Sequence, residues 1–154
     1  METCIVEGNI SVKAALLGKK RKVHKILVDA KKKDKDTAFI LHKAKEAQVD
    51  IAYVKREEID ALATGKTHGG IIAYCGQRKY QNLEELVNKK QVFLALVEGV
   101  EDPFNFGYVL RTLYAAGCDG VLVPLRNWTT AADVVTRASA GASEYMNIIC
   151  LLYT

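Results

Sequence analysis

Residues 92–111 of this 154-residue chain read VFLALVEGVEDPFNFGYVLR. The first six are almost continuously apolar, which is typical of a parallel strand buried on both faces. An acidic loop at residues 98–103 follows, and apolar residues then recur at helical spacing up to Gly117, which predicts a helix over residues 105–116. A strand is expected next, over residues 120–123. This order of strand, loop, helix and strand predicts an α/β fold, in which ligands bind beyond the carboxyl ends of the strands.

The rest of the second half continues the same alternation. Asn82 is a candidate N-cap for a short helix over residues 83–87. A further helix is predicted over residues 130–138, and a strand over residues 144–149. Three apolar residues are expected on the inner face of the helix at residues 105–116: Val109, Leu110 and Leu113.

The first half predicts a second alternating unit. Its first helix is expected over residues 9–17 and ends at Gly18, and Asp36 is the candidate N-cap of the next helix. A third, short helix is expected over residues 56–62. The amphipathic stripe of the second helix comprises Phe39, Ile40, Lys43, Ala44 and Ala47. The predicted strands cover residues 23–28, 49–54 and 71–74.

The polar stretch of residues 76–82 lies between the two patterned halves. It contains a glycine and no apolar periodicity, as is typical of an interdomain linker. The sequence therefore predicts two domains, at residues 1–75 and 83–154.

Composition narrows the class of protein. With 49% hydrophobic and 26% charged residues and two prolines, the chain resembles soluble globular proteins rather than disordered ones. The sequence has no apolar run that could span a bilayer, and its first residues do not form a signal peptide. Four scattered cysteines indicate reduced thiols and a cytoplasmic location. The three histidines lack the spacing of metal ligands, so no metal site is expected.

Positive charge is concentrated in the first half of the chain. Residues 1–75 contain fifteen Lys and Arg against ten Asp and Glu, whereas residues 76–154 contain seven against eight. The densest cluster comprises Lys19, Lys20, Arg21 and Lys22. Such a cluster can attract nucleic-acid phosphates, but a solvated lysine-rich surface has the same composition.

The helix that follows the apolar strand carries a recognisable motif. Asn105, Gly107 and Arg111 form the pattern Asn-x-Gly-x-x-x-Arg, and the acidic turn Asp102-Pro103 precedes it. In this the chain resembles the SpoU/TrmH family of RNA 2′-O-ribose methyltransferases, part of the trefoil-knotted SPOUT group. The resemblance continues in both halves: residues 7–16 and 67–73 are similar to the family's N-terminal domain, and residues 138–144 to its small-residue turn.

The resemblance implies a fold and a reaction. The fold would be a small ribosomal-protein-like α/β substrate-binding domain, followed by the first half of an α/β-knot methyltransferase domain without its knot. The reaction would transfer a methyl group from S-adenosylmethionine to a ribose 2′-hydroxyl, with a guanosine of 23S rRNA as the expected target. The family also implies a homodimer and RNA as the partner.

The resemblance further implies roles for individual residues. Asn105 and Arg111 would be catalytic, and Asp102, Pro103 and Gly107 would shape the motif. Four basic residues would bind RNA together with Arg111: Lys19, Lys20, Arg21 and Lys22. No family motif for the cofactor is found in the sequence, so the cofactor site is expected beyond Thr154. We therefore expect an N-terminal fragment that is inactive by itself.

Elementary chemistry is compatible with these roles. A helix N-terminus presents unpaired N–H groups that favour phosphate, and Asn105 is a candidate N-cap there. Gly107 would leave room for close backbone approach. The guanidinium of Arg111 can bind a phosphate through two hydrogen bonds, but its high pKa makes it a poor base.

Two other readings stay open at the level of sequence. A non-catalytic RNA-binding protein of ribosomal type would use the basic first half alone. A Rossmann-type enzyme is disfavoured because Gly99 and Gly107 do not form Gly-x-Gly-x-x-Gly. Trp128, with Arg126 and Asn127, could stack on an RNA base or anchor a loop.

Overall fold

Two separate sheets form the scaffold of the protein. The structure is a computed structural model that describes residues 3–88, 90–124 and 131–151. Trp128, Arg126 and Asn127 lie outside these ranges. One sheet has four strands in the order β1-β4-β2-β3, and the other has three in the order β5-β6-β7. No helix in the described ranges has the length and apolar character needed to cross a membrane.

The first sheet is mixed. Its strands are β1 (Cys4–Glu7), β2 (Val23–Asp29), β3 (Asp50–Val54) and β4 (Ile71–Cys75). Strand β4 runs antiparallel to both β1 and β2, whereas β2 and β3 are parallel. Strand β1 was not predicted; it has four residues and pairs with a strand about seventy residues away. Local periodicity carries no signal for such a partner.

Helices cover both faces of this sheet. Helices α1 (Gly8–Gly18) and α2 (Lys35–Glu46) pack on the core that contains Val12, Ile26 and Ile40. Helix α3 (Arg56–Leu62) covers the opposite face, where Ile59 packs with Leu27 and Ile72. Successive strand residues point to opposite faces, so Ile26 packs against α1 and α2 and Leu27 packs against α3.

The N-cap of α2 is Asp34, so the prediction of Asp36 was wrong. The Asp34 carboxylate accepts the backbone N–H of Thr37 at 2.9 Å and also contacts its hydroxyl. Asp36 lies inside the first turn, where its charge faces the helix N-terminus. Both residues are acidic and lie two positions apart, so the sequence does not show which of them caps the helix. The difference is that the helix begins at Lys35, directly after Asp34.

We predict that Asp34→Ala destabilises the protein more than Asp36→Ala at neutral pH, because only Asp34 caps the helix. The Lys32 ammonium, followed by the Thr37 N–H, holds the pKa of Asp34 well below its usual value of 3.8. A lowered folded-state pKa stabilises above the unfolded pKa, and that contribution is lost as the pH falls. The difference between wild type and Asp34→Ala should therefore narrow below about pH 4. Urea unfolding followed by circular dichroism measures it, and equal losses in the two variants would contradict the cap.

The second sheet is entirely parallel, which confirms the α/β class. Its strands are β5 (Leu94–Leu96), β6 (Gly120–Pro124) and β7 (Ile148–Leu151). Its helices are α4 (Leu83–Val87), α5 (Pro103–Ala115), α6 (Ala132–Ala138) and α7 (Ala142–Tyr145). Phe106, Leu110, Val121 and Val123 are among the residues of the core between the sheet and α5.

Three expectations for this half were wrong in detail. Strand β5 is parallel but lies at an edge of the described sheet, and Leu96 is 61% exposed, so it is not buried on both faces. The stretch at residues 144–149 begins as α7 and becomes a strand only at Ile148. On α5, Leu110 is buried and Leu113 packs against the core as predicted, and Phe106 and Gly107 are buried beside them, whereas Val109 is only half-buried.

Residues 76–82 run as a strap that is bonded to both halves. On one side, Gly76 N–H donates to Lys22 O at 2.8 Å, and Lys79 N–H donates to Lys20 O at 2.7 Å. On the other, Gln81 N–H donates to Ile148 O at 3.0 Å, and Ile148 N–H donates back to the Gln81 side chain at 3.1 Å. The bounds of the two domains and of the linker stay a prediction. Residues 76–82 are held in place by these hydrogen bonds, so they do not form a flexible linker.

Candidate functional site

The N-terminus of α5 is capped by Asp102, not by Asn105. The Asp102 carboxylate accepts the Asn105 N–H at 2.8 Å, and Pro103 occupies the first helical position, where no N–H is needed. Asn105 is therefore inside the first turn, and its side chain is not used for capping. The acidic-Pro turn thus starts the helix and leaves the Asn105 amide exposed.

Asn105 and Arg111 are both exposed on α5. Six residues of α-helix separate them by about 9 Å along the axis and about 120° around it. Tyr108, three residues from each and 55% exposed, lies between them on the same side of the helix. Within the described ranges, neither side chain makes a hydrogen bond or an ion pair to another residue. Both can therefore contact a ligand that lies along this surface.

Gly107 serves helix packing rather than ligand approach. It is buried against α6, and a Cβ at this position would lie 2.5 Å from Ala138 Cβ and 3.0 Å from Val135 O. These distances are shorter than side chains normally tolerate, so only glycine allows α5 and α6 to pack this closely. The predicted close backbone approach at Gly107 is therefore made by a neighbouring helix.

The basic cluster divides into exposed and buried members. Lys19 and Lys22 are exposed, and Lys19 ends α1 in the left-handed conformation with φ of 56°. Lys20 is half-buried and donates to the side chain of Asn147 at 2.5 Å. Burial, and after it the charge of Arg78, lowers the pKa of Lys20. Lys19 and Lys22 are therefore the members that remain available to a phosphate.

Arg21 is not available, so its prediction as an RNA-binding residue was wrong. Its guanidinium is buried and donates twice to the Glu144 carboxylate, at 2.9 and 3.1 Å. Burial acts to lower the pKa of Arg21, but the charge and hydrogen bonds of Glu144 outweigh it, and the pKa is raised. A buried guanidinium with a fully bonded carboxylate partner cannot turn to a phosphate without breaking that pair.

Glu144 and Arg78, which the sequence analysis missed, complete this buried cluster. Glu144 is fully buried, and its carboxylate also lies 3.8 Å from the Arg78 guanidinium. Arg78 donates to the carbonyls of Ser143 and Met146 at 2.5 Å each. Burial lowers the pKa of Arg78 to about 10, although Glu144 acts in the opposite direction. The available signal for Glu144 was a single acid that directly follows the run of small residues at 138–143.

A cavity of about 420 Å³ lies beside this cluster. Arg21, Arg78 and Glu144 line it from the polar side, and Cys4 and Phe106 are among its other wall residues. The Nε of Arg78 has no hydrogen-bond partner among the residues that the structure describes. Phe106 belongs to the inner face of α5, so the cavity and the exposed surface of Asn105 and Arg111 are on different sides of that helix.

The chain matches known proteins along nearly its whole length. Residues 5–81, half of the chain, match the family of RNA 2′-O ribose methyltransferase substrate-binding domains. A Staphylococcus epidermidis protein described as a TrmH family tRNA/rRNA methyltransferase is 30% identical over 97% of this chain. A Staphylococcus aureus relative with the same description is 29% identical over the same share. The chain spans 61% of the length of both relatives.

Solved structures share the fold. A crystal structure of an RNA 2′-O ribose methyltransferase gives a TM-score of 0.74 at 22% identity, over 97% of this chain and 55% of that one. The SpoU methyltransferase AviRb from Streptomyces viridochromogenes, in complex with AdoMet, gives 0.76 at 15% identity, over 98% and 56%. With the family match on the first sheet and relatives aligned across both sheets, this chain belongs to the SpoU/TrmH family of RNA methyltransferases.

Proposed function

We propose that the protein takes part in methyl transfer from S-adenosylmethionine to a ribose 2′-hydroxyl of RNA, with a guanosine of 23S rRNA as the target. The observation that carries the proposal is that, on one exposed stretch of α5 in a chain of this family, the side chains of Asn105 and Arg111 have no hydrogen-bond or ion-pair partner among the described residues. Relatives described as tRNA/rRNA methyltransferases and an AdoMet-bound structure of the same fold support it. A cytoplasmic location and a homodimer belong to the same proposal.

In this proposal, the residues of α5 hold the nucleotide that is modified. The Arg111 guanidinium binds the phosphate next to the target ribose through two hydrogen bonds. The Asn105 amide donates to or accepts from the ribose hydroxyls and so orients the 2′-oxygen. Lys19 and Lys22 attract neighbouring phosphates, which positions the RNA without reading its sequence.

The described residues do not form a site that fits S-adenosylmethionine. The cavity of about 420 Å³ has a buried ion-pair cluster in its wall, and neither Asn105 nor Arg111 lines it. The proposed work of this chain is to bind and orient the RNA, and by itself it is expected to be inactive.

The RNA part of the proposal is tested with Arg111→Ala. We expect affinity for a 23S rRNA fragment to fall about tenfold, because charged hydrogen bonds to a phosphate are lost. The slope of log affinity against log salt should decrease by about 0.7 to 0.9, which corresponds to one phosphate contact. Fluorescence anisotropy at several salt concentrations measures both. Arg111→Lys should keep most of the slope but lose the paired hydrogen bonds.

Lys90→Ala is the matched control, because it removes one exposed positive charge from the same half of the chain. If Arg111→Ala and Lys90→Ala affected binding equally, Arg111 would be an ordinary surface charge. Unchanged affinity in Arg111→Ala, together with a loss in Lys22→Ala, would favour the non-catalytic RNA-binding protein. Tighter binding of a tRNA than of the rRNA fragment would count against rRNA as the substrate.

A further inference from the structure

The two sheets meet through a closely packed interface that small residues make possible. Helix α1 lies against α7, and α6 lies against β1. A Cβ on Gly18 would overlap the carbonyl oxygen of Glu144 and lie 2.7 Å from its carbonyl carbon. A Cβ on Gly141 would lie 2.8 Å from Ala14 Cβ. The backbones of the two halves are therefore in direct contact.

Glu144 is the centre of the polar part of this interface. Its carboxylate accepts both hydrogen bonds of Arg21, which comes from the turn before β2, and lies 3.8 Å from Arg78 of the strap at residues 76–82. The Thr136 hydroxyl lies 3.3 Å from the same carboxylate. Three different segments of the chain thus converge on one buried acid that belongs to the second half.

Two further side-chain bonds cross the interface away from Glu144. Lys20 donates to Asn147 at 2.5 Å, and the Thr64 hydroxyl contacts Asp133 at 2.6 Å. Together with the strap, they connect the first sheet to α6 and to the segment before β7. Polar bonds of fixed geometry at several separated points constrain rotation as well as distance.

The balance of buried charges explains why Glu144 contributes more to the contact between the two halves than the other bonds do. Two guanidinium groups, both at most 7% exposed, share one carboxylate that is 1% exposed. Removing the carboxylate would leave two buried cations facing each other, and a buried pair that loses one partner is strongly destabilised. Arg21 and Arg78 would then repel each other across the contact between the two halves, and this repulsion favours separation of the halves.

We propose that Glu144 is a positioning residue that locks the basic first sheet onto the sheet that carries α5, so that the two move as one rigid body. The consequence rests on the proposed function: RNA held by Lys19 and Lys22 is presented to Asn105 and Arg111 at one fixed spacing. Glu144 itself touches no RNA in this scheme, because it is fully buried.

Residual dipolar couplings of backbone amides test the lock in the full 154-residue chain. In the wild type, amides of β2 and β4 and amides of β6 and β7 should report one common alignment tensor. In Glu144→Gln, which keeps the side-chain shape but removes the charge, each sheet should stay folded and the two should report different tensors. Glu46→Gln is the matched control, since that carboxylate is exposed and pairs with its α2 neighbours His42 and Lys43.

Three outcomes would overturn the proposal: two tensors in the wild type, one unchanged tensor in Glu144→Gln, or loss of amide dispersion in both sheets of that variant. The last would show that Glu144 stabilises the whole protein rather than positioning its parts. The measurement contains no RNA, so it can fail while RNA binding through Arg111 stands, and the reverse also holds.

An RNA titration then checks the consequence. In the wild type, amides near Lys22 and those of α5 should shift with one midpoint, because both surfaces engage one ligand. In Glu144→Gln the two surfaces should shift with separate midpoints, both higher than in the wild type and that of α5 by at least about tenfold, since a fixed spacing raises the effective concentration at each surface once the other is bound. A common midpoint in the variant would contradict the fixed-spacing role.

Discussion

Gly18→Ala is expected to destabilise the protein by about 3 kcal/mol, although alanine is the better helix former. Gly18 is the last residue of α1, where the helix propensity of alanine would stabilise an isolated helix by up to about 1 kcal/mol. In the folded protein, the added Cβ would overlap the carbonyl oxygen of Glu144. The obstacle is backbone, not the flexible end of a side chain, so α1 and α7 must separate.

Chemical unfolding followed by circular dichroism measures this loss. Gly99→Ala is the control, because it places the same methyl group where, among the described residues, no atom beyond the two chain neighbours lies within 4 Å, and where the positive φ of 75° opposes the substitution. The control should cost about 1 to 2 kcal/mol, the ordinary penalty for a left-handed non-glycine residue. A Gly18→Ala variant that is as stable as the wild type would show that the two halves do not pack as described.

Local sequence signals predicted most helices and strands, because those elements depend on neighbours in sequence. The helix that ends at Gly18 and the strands at residues 23–28 and 71–74 were found within one or two residues of their observed bounds. The α/β class followed from the same alternation. The elements with the least local support, β1 and α7, are four residues each and owe their form to contacts with distant segments.

The burial of one residue in the basic cluster could not be predicted from the sequence. Lys19, Lys20, Arg21 and Lys22 are indistinguishable as charges, yet one of them is paired with an acid 123 positions away. Nothing in the spacing of the cluster reveals that partner. Burial of Arg21 follows only from the approach of the second half of the chain, which places Glu144 opposite it.

The motif helix shows a different limit. The pattern of Asn105, Gly107 and Arg111 was visible, but it does not state which residue caps the helix or which face is buried. In the structure Asp102 caps the helix and Gly107 is buried, whereas Asn105 and Arg111 are exposed on the outer surface. One short motif thus combines a residue for packing with two whose side chains are available for binding.

Gly107→Ala separates these two kinds of residue. The added Cβ would lie 2.5 Å from Ala138 Cβ, 3.0 Å from Val135 O and 3.1 Å from Ser139 N, so α5 and α6 must move apart. We expect a loss of about 3 kcal/mol in the free energy of unfolding. RNA affinity per folded molecule should change little, because Gly107 faces α6. Arg111→Ala should give the reverse pattern, with weaker RNA binding and little change in stability.

A compensating change at Ala138 makes the packing explanation specific. In the double variant Gly107→Ala with Ala138→Gly, the methyl group moves from α6 to α5 and the shortest clash disappears. Ala138→Gly alone should cost about 1 kcal/mol through helix propensity. The double variant should be more stable than the sum of the two single losses by about 1 kcal/mol or more, as is typical of residues in contact. Strictly additive losses would mean that the contact with Ala138 Cβ does not determine the cost of Gly107→Ala, and that the α6 backbone at Val135 and Ser139 does.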